Sequence, residues 1–381
     1  MSTKPEPFIW AYTDESGNTG LNLFDKSQPV YWTGTLTSGV DLQQAGRSAI
    51  GKWCASIGVE ELHGSELGFG RIEVISRDLR NFLSTYHCRI IFTQVEKRHV
   101  AGTKLVDTLI DSGLNSAVSN LHYGMRPFRL MMAVDLLRNM TARDEEEFWQ
   151  VYKKVDVVGF CKILERLQFR IYENIKDPRG KELLLDAIAY GLKSPKELLT
   201  GARSDLDSPN VVALTLLLGA LRSLHKETGL KIGKFYHDEQ NQFAKAMREM
   251  FDVIKNIGSV ESPPTWICDI QRIRAFDCPF EIVASRGTVG AQLIDVILWL
   301  TKKASESPLE DTLPGCKELL GEIIKRATIS KLTRAQLISD AQHEYTKVMN
   351  RPMSPKQEAK AKKLATEFEN IRIKRMRSSD E

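Results

Sequence analysis

An α/β fold, with one sheet flanked by helices, is predicted by two features of this sequence. Strand-like apolar runs fall into two blocks far apart in the chain, and long stretches of helical periodicity lie between and after them. Strands at both ends of a unit, with helices between and beyond, call for a sheet covered by helices.

The first block holds "FIWAYT" (8–13) and "VYWTGTL" (30–36), joined by a turn-rich loop. A helical pattern follows from about Asp41 to Ile57, then "ELHGSELG", a helix near 72–86 and a strand "CRIIFTQV" (88–95). From about His99 to Asp207 strand signals are sparse and helical periodicity dominates, which predicts a helical insertion over 101–209. "SPN" at 208–210 is a helix start signal for the apolar run 211–228. The second block reads "KIGKFYH" (231–237), "WICDI" (266–270) and "FEIVAS" (280–285), and ends in the apolar helix "GAQLIDVILWL" (290–300). Beyond it, 304–381 is predicted to be a helical, basic extension, which leaves 8–100 and 210–303 as the core.

Composition narrows the class. Of 381 residues, 42% are hydrophobic and 27% charged, as in a globular protein with a sizeable core. No apolar run reaches the roughly 18–20 residues a membrane span needs, so no membrane partner is expected. "MSTKPEPFIW" lacks the basic start and apolar stretch of a signal peptide. The six cysteines show no CxxC and no Cys/His metal spacing, which predicts reduced thiols, a cytoplasmic location and no structural zinc. Residues 351–381 carry nine Lys/Arg against five Asp/Glu, an excess equal to the whole chain's net charge of +4. Such a segment attracts phosphate backbones, or serves only as a solvated terminal helix.

Carboxylates close three apolar elements. Asp14 and Glu15 end the first strand in "FIWAYTDESGNTG", and Asp238 and Glu239 close another in "FYHDEQNQF". In "GAQLIDVILWL" the polar side chains are Gln292 and Asp295, three apart and so on one helix face. A helix apolar almost all round is buried. A charged carboxylate there costs several kcal/mol, on the order of a buried unpaired ion, unless paired or bound to a cation. A divalent ion shared by Asp14, Asp238 and Asp295 meets that need, because hard cations take oxygen ligands. Gln292 is then placed to orient Asp295 or a metal-bound water. Each acid also has a plainer reading: an Asx-turn at Asp14, an N-cap at Asp238, and a buried arginine partner for Asp295.

"YTDESGNTG" and "GAQLIDVI" resemble the two signature motifs of the Domain of Unknown Function 3800 family, an Asp-Glu pair before Ser-Gly and a later Gln-x-x-Asp. "ELHGSEL", "IIFTQVEK", "FYHDEQ" and "EIVASRGTVGAQLID" resemble that family's intervening segments, over roughly 8–100 and 210–303. Ile294 stands where the family more often has Ala, and the insertion and extension depart from its pattern. The resemblance implies a ribonuclease-H-like mixed sheet and an acidic site for two Mg²⁺ or Mn²⁺ ions about 3.5–4 Å apart, acting in phosphodiester hydrolysis. It makes Asp14, Asp238 and Asp295 the metal ligands. Only one of Asp14 and Glu15 is expected to face the site, because neighbours on a strand point to opposite faces. Glu61 and His63 are candidates for a fourth ligand and for a proton shuttle or phosphate contact. Ser16 and Gly17 shape the turn, and Ser285 and Arg286 are candidate phosphate contacts. The expected partner is DNA or RNA, gripped by the insertion and basic tail, with a protein partner or second copy meeting the insertion. The alternative is a non-catalytic nucleic-acid-binding or regulatory subunit of a bacterial defence or mobile-element complex.

Overall fold

A computed structural model describes residues 8–17, 20–200, 206–239, 242–256, 275–306 and 312–378. The strand expected at 266–270 lies outside these. β1 (Ile9–Ser16) and β2 (Val30–Ser38) pair antiparallel, Asp14 opposite Gly34. Between β2 and β3 (Arg89–Glu96) come α1 (Leu42–Ile57) and α2 (Gly64–Thr85). Asp41 caps α1 by accepting from the Gln43 N–H at 2.9 Å, and Gly58 in the left-handed region ends it. The second helix starts at Gly64, earlier than the expected 72, because a kink at Gly68 joins a preceding turn to the periodic part.

The insertion follows as α3 (Lys97–Ile110), α4 (Asn120–Gly124), α5 (Arg126–Arg138), α6 (Ala142–Lys154), α7 (Val157–Asn174), α8 (Pro178–Lys193) and α9 (Pro195–Leu199). It builds its own core around Leu105, Leu136, Phe148, Trp149, Phe160 and Leu184, continuous with Tyr31 and Val95 of the sheet. Ser208 then caps α10 (Pro209–Thr228), as its start signal predicts.

β4 (Ile232–Asp238), α11 (Ala244–Asn256), β5 (Phe280–Val283) and α12 (Val289–Glu306) complete the core. The strand order is β5-β4-β1-β2-β3, continued past β3 by β6 (Ala327–Leu332), with β4 parallel to β1 and β5 parallel to β4. The carboxyl ends of β1, β4 and β5 therefore lie on one edge, where ligands gather in α/β sheets. Helices α12, α1 and α2 cover one face, packed on Tyr12, Trp32, Leu36 and Phe92. Helices α10 and α11 cover the other through Ile9, Ala11, Ile91 and Phe235.

The extension comprises α13 (Pro314–Arg326), β6 (Ala327–Leu332), α14 (Arg334–Met349) and α15 (Pro355–Ser378). It is not helical throughout, as expected from sequence: β6 joins the sheet parallel to β3. "ATISKL" is short, polar and at an edge, half-exposed along its length, so it lacks the apolar run of the buried strands. The tail is also not simply a solvated helix. Arg372 of α15 is buried against the insertion, donating to Asp186 Oδ2 at 2.7 Å and to the Ala117 carbonyl at 3.3 Å.

Candidate active site

The side chain of Asp14 belongs to the α12 face of β1, together with Tyr12 two residues earlier. It sits inside the β1–β2 ladder rather than in a turn, since β1 runs on to Ser16. Asp295 comes down from the middle of α12. Two contacts fix how that helix meets the sheet. Gly290 seats directly against Tyr12, where a Cβ would lie 2.2 Å from the ring. Gln43 of α1 accepts from the first helical N–H, that of Val289, at 2.8 Å and donates to the Gly287 carbonyl. Buried Leu293, Ile294, Val296, Ile297 and Leu298 hold the rest of α12, each contributing about 1.5–3 kcal/mol. Asp238 is the last residue of β4; it does not cap the next helix, which starts at Ala244.

These three acids come near enough for their charges to bear on one another. Burial first, then the neighbouring Asp295 and Asp238 carboxylates, push the Asp14 carboxyl well above its ordinary range. Burial also raises Asp295, opposed by the Gly64 N–H, by His63 and by a hydrogen bond from Asp14. Both shifts favour the neutral acid, as expected where burial and neighbouring carboxylates oppose further negative charge. Asp295 Oδ2 also accepts from Gly64 N at 2.9 Å, at the positive end of α2. His63, half-exposed, places Nδ1 3.6 Å from the same oxygen. Among the described residues no lysine or arginine forms an ion pair with Asp14, Asp238 or Asp295.

The surrounding residues are held as follows. Ser285 Oγ donates to Asp238 Oδ1 at 2.7 Å, so it holds a carboxylate instead of facing a phosphate. Gln292 accepts from Leu62 N at 3.0 Å and donates to the Ser285 carbonyl at 3.4 Å. It thus ties two loops together and makes no bond to Asp295. Arg286 pairs with Glu60 at 3.0 Å on the open surface. Ser16 accepts from Lys302 Nζ at 2.9 Å. Gly17 turns the chain with φ +89°, where a side chain would strike the Val30 carbonyl. Glu61 leaves Oε2 buried without a hydrogen-bond partner, and its charge bears on the Cys54 thiol of α1.

Glu15 points to the opposite face, as strand alternation requires. There it accepts from Tyr31 Oη at 2.6 Å, and Asn210 donates to the same tyrosine oxygen at 3.0 Å. His237, also on that face, donates from Nδ1 to the Asp238 carbonyl at 2.9 Å and sets Nε2 3.9 Å from Glu15. Sequence reasoning missed His237 and Lys302. The signals were adjacency to Asp238 in one case and a seven-residue step from Asp295 along one helix face in the other.

No protein-family model, curated protein or solved structure matches this chain. Among the described residues no helix is long and apolar enough to cross a membrane, and no group of three or more His, Cys, Asp or Glu side chains already stands as a metal cage. In donor chemistry the acidic site suits a hard divalent cation, because its atoms are carboxylate oxygens.

Proposed function

We propose that this protein is a Mg²⁺- or Mn²⁺-dependent nuclease of the Domain of Unknown Function 3800 kind, hydrolysing phosphodiester bonds of DNA or RNA on a ribonuclease-H-like fold. The observation that carries this reading is the convergence of Asp14, Asp238 and Asp295 from β1, β4 and α12 with no ion-paired lysine or arginine among the described residues. An antiparallel β1–β2–β3 meander with β4 and β5 parallel to β1 supports the fold assignment.

Asp14, Asp238 and Asp295 would hold the ions, which supply Lewis-acid stabilisation of the charge on a transferring phosphoryl group. The chain's own residues do the rest. Ser285 fixes the Asp238 rotamer. The Gly64 N–H donates to Asp295 Oδ2 and fixes its direction. His63 stands half-exposed beside Asp295, placed to pass a proton to a leaving oxygen or to contact a phosphate. Glu15 has no ligand role here because it faces away. Arg286 and the exposed Lys356, Lys362 and Lys374 of the tail offer cations to a nucleic-acid backbone.

That no group of three or more His, Cys, Asp or Glu side chains among the described residues already stands as a metal cage favours a second reading: a non-catalytic nucleic-acid-binding or regulatory subunit of a defence or mobile-element complex. One experiment separates them. Purified protein is incubated with single- and double-stranded DNA and RNA in Mg²⁺ or Mn²⁺, alongside Asp14→Asn and Asp295→Asn. The nuclease reading expects cleavage by the wild type and none by either folded variant. Full activity in a variant sinks it, and a wild type that binds no divalent ion by calorimetry leaves the second reading.

A further inference from the structure

A second site lies inside the helical insertion. A cavity of about 400 Å³ opens between α3, α4, α5 and α6, with Leu337 of α14 at its side. That size falls in the range of small-molecule sites. Its charged residues are unevenly matched. Lys104 is engaged, bound to Asp207 at 3.0 Å and lying over the Tyr152 ring at 5.5 Å. Asp111 accepts from the Gly113 N–H at 2.7 Å.

Asp107 and Arg129 are different. Asp107, on α3, is open to the cavity, and among the described residues its carboxylate has no hydrogen bond and no ion pair within 4 Å. The charges of Lys104 and Arg129 bear on that carboxylate without either bonding to it. Arg129, on α5, rests its guanidinium over the Tyr123 ring at 5.5 Å and forms no ion pair with a carboxylate among the described residues. An anion and a cation thus line one cavity and do not reach each other.

We propose that this cavity binds a small zwitterion, a molecule bearing an ammonium group and a carboxylate or phosphate a few bonds apart. The ammonium pairs with Asp107, and the anionic end takes the guanidinium fork of Arg129. Tyr123 and Tyr152 supply aromatic walls for the carbon skeleton between the two ends. A purely cationic ligand is disfavoured by Lys104 and Arg129, and a purely anionic one by Asp107 and Asp111.

The test uses the full-length protein without divalent metal, titrated calorimetrically with α-amino acids, γ-aminobutyrate and phosphoethanolamine. This panel separates carboxylate from phosphate as the anionic end. At least one zwitterion is expected to bind. Its N-acetyl form and its methyl ester, each lacking one charge, are expected to bind at least about tenfold more weakly. Asp107→Asn and Arg129→Gln should weaken the parent ligand to a similar degree while unfolding at the wild-type midpoint. The proposal is overturned if no panel member binds, if blocked derivatives bind as tightly as their parents, or if both variants bind like the wild type.

Discussion

Gly290→Ala is the sharpest perturbation of how this fold assembles its acids. A Cβ at position 290 would lie 2.2, 2.4 and 2.5 Å from Tyr12 Cγ, Cδ1 and Cδ2. Carbon atoms rest at about 3.5–4.0 Å, so ring and helix must part by about 1.3 Å or more. The ring has little freedom to move. Tyr12 is buried, stacked on Tyr236 with centroids 5.4 Å apart, and its hydroxyl faces Asp41 at 3.5 Å. The displacement therefore falls on α12 and travels along a rigid helix to Asp295, about 7.5 Å farther down the axis. Overpacking of this kind costs about 1–3 kcal/mol. A shift above 1 Å also exceeds the roughly 0.5 Å tolerance of a preorganised site. Urea unfolding should show a lower midpoint at an unchanged slope, and calorimetry should show Mg²⁺ or Mn²⁺ binding weakened from the wild-type value. Gly219→Ala on α10 is the control, since its Cβ meets nothing within 4 Å and the change should stabilise the helix by up to about 1 kcal/mol. Wild-type stability and cation affinity in Gly290→Ala would refute the packing argument.

Three further outcomes are expected. Because Asp14 is held above its unfolded value, metal-free stability is full at low pH and is lost as pH rises through that raised value. Asp14→Asn cannot ionise, so its urea midpoint should match the wild type near pH 4 (about the ordinary Asp value) and exceed it at alkaline pH; parallel curves would contradict this. Tyr31→Phe removes the donor to Glu15 and the acceptor for Asn210, at a cost of about 1.5–3 kcal/mol for a buried bond to a charged group. Its cation affinity should stay unchanged, and loss of binding at preserved stability would place that network in the metal site. Arg372→Met should free α15 from Asp186 and Ala117, seen as faster amide exchange confined to that helix; unchanged protection would show that other contacts dock the tail.

Much of this architecture was legible in local pattern. Alternation along "FIWAYTDES" separates Asp14 from Glu15, and the two do face opposite sides of the sheet. The caps at Asp41 and Ser208 stand where short-range chemistry puts them. The nearly all-apolar run after Gly290 predicts a buried helix, and α12 is one. Other features were hidden because nothing local marks them. β6 is six residues of edge strand with no apolar run, and only the open edge of β3 makes it a strand. Nothing local marks the bonds of Ser285 to Asp238 or of Gln292 to Leu62 and the Ser285 carbonyl, which join segments far apart in the chain.

By itself, then, the sequence determined most of the strands and helices, β6 excepted, which side chains turn inward, and that Asp295 needs a partner. Periodicity and capping act over a few residues and leave their mark in the order of letters. Which partner Asp295 finds, and that Asp107 and Arg129 come to line one cavity without touching, were decided only when distant elements packed. Those distances depend on how α12 seats on Tyr12 and how α3 and α5 lean on a shared core, and no short stretch of chain encodes either.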